Sequence, residues 1–173
     1  MIPLEPFNKV TEKLYQGSVP DDAHAYDGFT MIVLCAQERQ PALPKFRGKV
    51  LRPAFDDTAN PTADEMERAR KAASEVGTEI MRGGRVLVTC AAGLNRSGLV
   101  TGLALTMTTR MPALEIVRAI RAARGEDALS NPTFHQHVFA AADLRDQVLA
   151  RRGCHRKPVR SGADLRRGVR RGR

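Results

Sequence analysis

At 173 residues and 42% apolar composition, the chain is long enough to close one hydrophobic core and has the balance of an ordinary globular domain. Three cysteines, Cys35, Cys90 and Cys154, form an odd set without framework spacing, which argues against a disulfide-stapled secreted domain; neither they nor the four histidines have zinc-site spacing, so no metal is expected. The net charge of +9 belongs to the C-terminal end, where residues 151–173 hold ten Lys/Arg against one acid, Asp164, while the 150 residues before them balance 18 bases with 18 acids.

The expected division is therefore a folded domain over residues 1–150 and a basic tail over 151–173, too poor in apolar residues to fold alone and expected to be disordered. The longest apolar-leaning run, Leu99 to Met107, is too short for a transmembrane segment. MIPLEPFNKV lacks the basic start and apolar stretch of a signal peptide, which makes the expected location cytoplasmic.

In chain order, a strand or turn pair is predicted over Phe7–Ser18, then a loop and short helix near Val19–Tyr26. Strands follow at Phe29–Cys35 and Lys49–Pro53, the second leading into the loop AFDDTANP. A long amphipathic helix runs over Ala63–Met81: Thr62 and Glu65 have capping-box spacing, and Met66, Ala69, Ala73, Val76 and Ile80 recur at three- and four-residue steps. Gly83-Gly84 end it, and RVLVT reads as a buried strand without alternation. Helices are predicted over Ser97–Arg110, over Ala113–Arg124 after Pro112, and over Thr133–Arg151 after Asn131 and Pro132. Strands alternating with helices imply an α/β domain, a central mostly parallel sheet flanked by helices.

The chemistry sits in VLVTCAAGLNRSGLV, residues 86–100, where a buried strand, a tight loop and a helix start follow one another. Ligands of open α/β sheets bind beyond the carboxyl ends of strands, and a loop wrapping into a helix start turns successive amides toward an anion, with the helix dipole adding to their pull. Those substrate-binding groups would be the amides of Ala91, Ala92, Gly93, Leu94, Asn95 and Arg96. Cys90 there has the setting that lowers a thiol pKa from about 8.5 to roughly 3.5–7.5. Arg96, six residues on, offers a charged fork for two phosphate oxygens, and Ser97 a hydroxyl for the sulfur. Covalent cleavage of a phosphate monoester needs such a nucleophile, such a clamp and an acid for the leaving group. Asp56 and Asp57 both supply that acid chemically, and both also suit a plain turn.

These segments resemble the dual-specificity branch of the protein tyrosine phosphatase superfamily, in KLYQGSVPD (Lys13–Asp21), CAAGLNRSG (Cys90–Gly98) and ARGEDALSNPTFHQHVF (Ala123–Phe139), and across nearly all of residues 7–140. The resemblance implies Cys90 as the nucleophile that becomes phosphocysteine, Arg96 as the clamp and Ser97 as the aid to thiolate departure. Asp57, 33 residues before Cys90 and followed by Thr58, matches the family's general acid better than Asp56 does. No cofactor is implied. The departure is Thr89, where the family has a histidine that orients the cysteine; a less acidic Cys90, or a non-catalytic phosphate-binding pseudophosphatase, is the alternative it raises.

The implied substrates are phosphorylated proteins, at tyrosine and at serine or threonine, because the short domain lacks room for long pocket-deepening loops. Asn95 before the arginine also resembles the loop of RNA 5′-triphosphatases, and a phosphoinositide phosphatase is a further alternative of the same fold. The tail reads as an electrostatic arm for nucleic acid or an acidic surface, or as a solubilising extension. Cys35 is expected to be a buried small apolar side chain, Asp21, Asp22 and His24 a polar helix start, and His135 and His137 surface or core residues. Oligomeric state has no signal in the sequence.

Overall fold

The computed structural model describes residues 6–19 and 26–153. The expected polar helix start at Asp21–His24 lies outside the described residues, as does the tail from Cys154 onward.

Five strands form one sheet: β1 (Phe7–Lys9), β2 (Leu14–Ser18), β3 (Met31–Leu34), β4 (Lys49–Leu51) and β5 (Val86–Cys90). Their order is β1-β2-β5-β3-β4, and β1 alone runs antiparallel to its neighbour. The helices are α1 (Ala63–Met81), α2 (Asn95–Thr108), α3 (Ala113–Arg124) and α4 (Pro132–Gly153). The last carries the expected helix through Arg151 and Arg152, so the first residues assigned to the tail are helical.

Every residue of β5 is buried, which is why RVLVT carries no polar alternation. Neighbouring side chains of a strand still point to opposite faces. Met31, Val33, Val86 and Val88 join a cluster that holds the buried apolar residues of all four helices, whereas Ile32, Leu34 and Leu87 join a second cluster with Tyr26 and Phe29. On that second face Phe7, Tyr15 and Phe29 meet edge to face, with ring centroids 5.2 to 6.3 Å apart. Helix α2 is buried from Arg96 through Thr106 and is apolar on most sides, as a helix enclosed by α1, α3 and α4 must be.

Because β2, β3, β4 and β5 are parallel, their carboxyl ends reach one edge of the sheet. The chain there enters the loops that begin at Val19, Cys35, Arg52 and Ala91, so four separate stretches of sequence are delivered to one place.

Candidate active site

Cys90 ends β5 and is 2% exposed; its Sγ lies 3.3 Å from the Ser97 Oγ, within hydrogen-bond reach of sulfur. Between them the chain turns through Ala91–Leu94 and enters α2 at Asn95. Gly93 takes φ of +73°, and a Cβ there would stand 2.3 Å from the Gly17 carbonyl carbon on β2, so the turn requires glycine twice over. The N–H groups of Ala91, Ala92, Gly93 and Leu94 meet no acceptor among the described residues. The N-cap of α2, Leu94, makes no side-chain cap bond and no acid lies in the first turn, so the helix's positive end is uncompensated.

Arg96 lies in that first turn with only 8% of its side chain exposed. Its Nη1 and Nη2 donate to the two carboxylate oxygens of Glu38, each at 2.6 Å, and Nη1 also donates to the Phe55 carbonyl at 3.3 Å. Its Nε is buried with no partner among the described residues. Leaving a buried guanidinium N–H unmade costs on the order of 1–3 kcal/mol, so the orphaned donor points to an acceptor that binds there. Hydrogen bonding to Glu38 raises the Arg96 pKa above its ordinary value, with the charges of Cys90, Glu38 and Asp57 adding to it against burial. The same pairing draws Glu38 down to about 2. Glu38 was not among the residues singled out in the sequence: QERQP has no periodicity, and only the parallel sheet brings the loop after β3 beside the loop after β5.

Asp57 is exposed in the β4–α1 loop, and its Oδ1 accepts from Asn131 Nδ2 at 2.9 Å. Its charge helps to raise the Arg96 pKa, and the backbone N–H of its neighbour Asp56 donates to Glu65 at 3.2 Å. The structure thus brings Cys90, Arg96, Ser97 and Asp57 to one edge, with Asp56 next to Asp57 in the same exposed loop. Thr89 Oγ1 donates to the Val33 carbonyl on β3 at 3.0 Å. Asn95 Oδ1 accepts from Ser130 Oγ at 3.3 Å and Asn131 N at 3.1 Å, so that side chain fastens the start of α2 to the loop before α4. Cys35 is a free, buried thiol, and burial pushes it well above its ordinary pKa. Among the described residues no three His, Cys, Asp or Glu side chains gather as metal ligands.

No protein-family model matches the chain. No curated protein matches it either. Solved structures do: human DUSP28 is 22% identical with a TM-score of 0.68, covering 84% of this chain and 97% of its own. DUSP15 is 25% identical with a TM-score of 0.66, covering 84% and 96%. Tk-PTP in its active form is 17% identical with a TM-score of 0.68, covering 83% and 99%.

Proposed function

The fold is that of the dual-specificity branch of the protein tyrosine phosphatase superfamily, and from this premise we propose that the chain hydrolyses phosphomonoesters through a phosphocysteine intermediate. The observation that carries the reading is the orphaned Nε–H of Arg96 beside four unengaged amides and the sulfur of Cys90. Donors without acceptors, fixed in place before anything binds, are what stabilises charge developing on transferring phosphoryl oxygens.

The Cys90 thiolate attacks phosphorus, the bond to the leaving oxygen breaks, and the Asp57 carboxyl gives that oxygen its proton. The Asp57 carboxylate then takes a proton from water as the water attacks phosphocysteine. The phosphorus–sulfur bond breaks, and Ser97 Oγ–H supports the departing thiolate. The amides of Ala91 to Arg96 and the guanidinium hold the three remaining oxygens throughout.

Phosphotyrosine and phosphoserine or phosphothreonine in proteins are the substrates this reading favours, because the short domain lacks room for further loops that deepen a pocket. The RNA reading rests on the basic tail and on Asn95, whose side-chain oxygen accepts from Ser130 Oγ and Asn131 N. Rapid acid quench with a labelled aryl phosphate tests the scheme. Cys90→Ser should trap no phosphoenzyme and show no turnover, and Asp57→Asn should lose about 10²–10⁴ in rate. Turnover that survives in Cys90→Ser would overturn the proposal. Full anion binding without turnover in the native chain would make it a binding module. A panel of phosphotyrosine, phosphothreonine, phosphoinositide and triphosphorylated RNA assigns the substrate.

A further inference from the structure

The amide cradle has a reverse side. A loop that turns successive N–H groups toward one point turns its carbonyls away from that point, and buried carbonyls need donors. Two buried side chains supply them. Gln16, fully buried on β2, donates from Nε2 to Gly93 O at 3.0 Å and Leu94 O at 3.3 Å. Arg124, the last residue of α3 and 2% exposed, donates from Nε to Gly93 O at 3.3 Å and from Nη2 to Ala92 O at 3.2 Å. Its Nη1 reaches Asn8 Oδ1 at 2.6 Å, which anchors the far end of the guanidinium on β1.

Gln16 gives the loop a neutral donor, whereas Arg124 brings a positive charge together with its donors. Taking a charge out of water costs several kcal/mol even after relaxation, and an arginine stays charged when buried. Burial lowers the Arg124 pKa, and the charge of a Cys90 thiolate raises it. The cation therefore interacts with the anionic side of the loop while its hydrogen bonds go to the carbonyl side.

We propose that Arg124 is a positioning residue for anion binding: it holds the Ala92 and Gly93 carbonyls outward, so that their amides stay turned inward, and it places a positive charge behind a phosphate that it never touches. The proposal deepens the phosphatase reading and rests on it for the identity of the anion. The bracing itself does not depend on turnover.

The experiment compares Arg124→Met, which keeps bulk but removes charge and donors, with Arg124→Lys, which restores charge, and Arg124→Gln, which restores only a donor. Tungstate affinity by titration calorimetry, KM and kcat for an aryl phosphate, hydrogen exchange of residues 91–96 and the melting temperature are measured for each. Arg124→Met should weaken tungstate at least tenfold, raise KM by a similar factor and speed exchange at residues 91–96. Arg124→Lys should recover most of the affinity, and Arg124→Gln the slow exchange but little of the affinity. If Arg124→Met fails to fold, Arg124→Gln set against Arg124→Lys carries the same contrast. Tungstate binding within twofold of the native chain in Arg124→Met or Arg124→Gln would overturn the proposal. So would losses in Lys and Gln that are equal and follow melting temperature alone. A native chain that neither binds tungstate nor turns over ends the phosphatase reading instead, and exchange at residues 91–96 then decides the bracing by itself.

Discussion

Glu38 holds Arg96 by both terminal nitrogens of the fork expected to take phosphate oxygens. The carboxylate takes both terminal nitrogens of the guanidinium and leaves Nε without a partner among the described residues. Arg96 is nearly buried, whereas half of the Glu38 side chain is exposed, so solvent screens the pair and its worth is about 1 kcal/mol. Glu38 sits near 2 in the folded chain against an ordinary 4.5. A depressed carboxyl pKa contributes stability that is complete above the unfolded value and is lost as pH falls through the folded one. The melting temperature of Glu38→Gln should therefore lie below that of the native chain at pH 6. The gap should close between about pH 4.5 and about pH 2, as thermal melts across that range would read out. A gap that stays constant down to pH 2 would mean that the carboxylate charge does not contribute. Glu38, Gln16 and Arg124 went unnoticed in the sequence for one reason: a buried polar residue is defined by the partner it meets, and those partners are 58, 77 and 31 residues away.

At the scale of elements, the acid-bearing loop is stitched to two helices. Glu65 closes the capping box of α1 through Thr62 and also accepts the Asp56 N–H, fixing the loop from one side. From the other side Asn131 donates to Asp57 Oδ1 at 2.9 Å and Thr58 O at 3.0 Å, while its own Oδ1 accepts from Thr133 N at 3.1 Å and Phe134 N at 3.3 Å at the start of α4. One carboxamide thus caps a helix and holds Asp57, the proposed acid. Asn131→Ala should cost about 1 kcal/mol as a lost cap and reduce kcat as well. Asn131→Asp keeps the capping oxygen but loses the donor, so it should keep most of the stability and still lose kcat. In an Asp57→Asn background neither change should reduce kcat further, because coupled residues are not additive. Full additivity would separate Asn131 from the acid.

The limits of α1, Ala63–Met81, were legible because capping box, apolar period and the following glycines all agree. Helix α2 begins at Asn95, two residues before the expected Ser97, because no capping residue marks its start. In the proposed reading an anion takes the place of the cap, so the missing signal and the site have one cause. Strand β3 is shorter than the predicted Phe29–Cys35, although Cys35 N still donates to Thr89 O at 2.9 Å and carries the pairing past the strand end.

For the whole molecule, the separation of charge along the chain divides the work. Of the net +9, +7 lies in residues 154–173, which hold eight Lys/Arg and one acid. Cys90, Arg96, Ser97 and Asp57 all precede that segment, and no helix among those described is long and apolar enough to cross a membrane. Small-substrate turnover should therefore be indifferent to the tail, while contact with a polyanion should depend on it. A chain ending at Gly153 should keep kcat/KM for an aryl phosphate within twofold of the full chain. It should also lose affinity for a single-stranded RNA at low salt, measured by fluorescence anisotropy. For the full chain log K should fall steeply with log salt, since each phosphate neutralised on a single strand contributes roughly −0.7 to that slope. The segment has no aromatic residue to stack on bases, so no preference among RNA sequences is expected. Unchanged RNA affinity in the shortened chain would remove the tail from any role in binding. A loss of aryl phosphate turnover there would mean that residues beyond α4 reach the site, and that charge and catalysis are not divided as their placement along the chain implies.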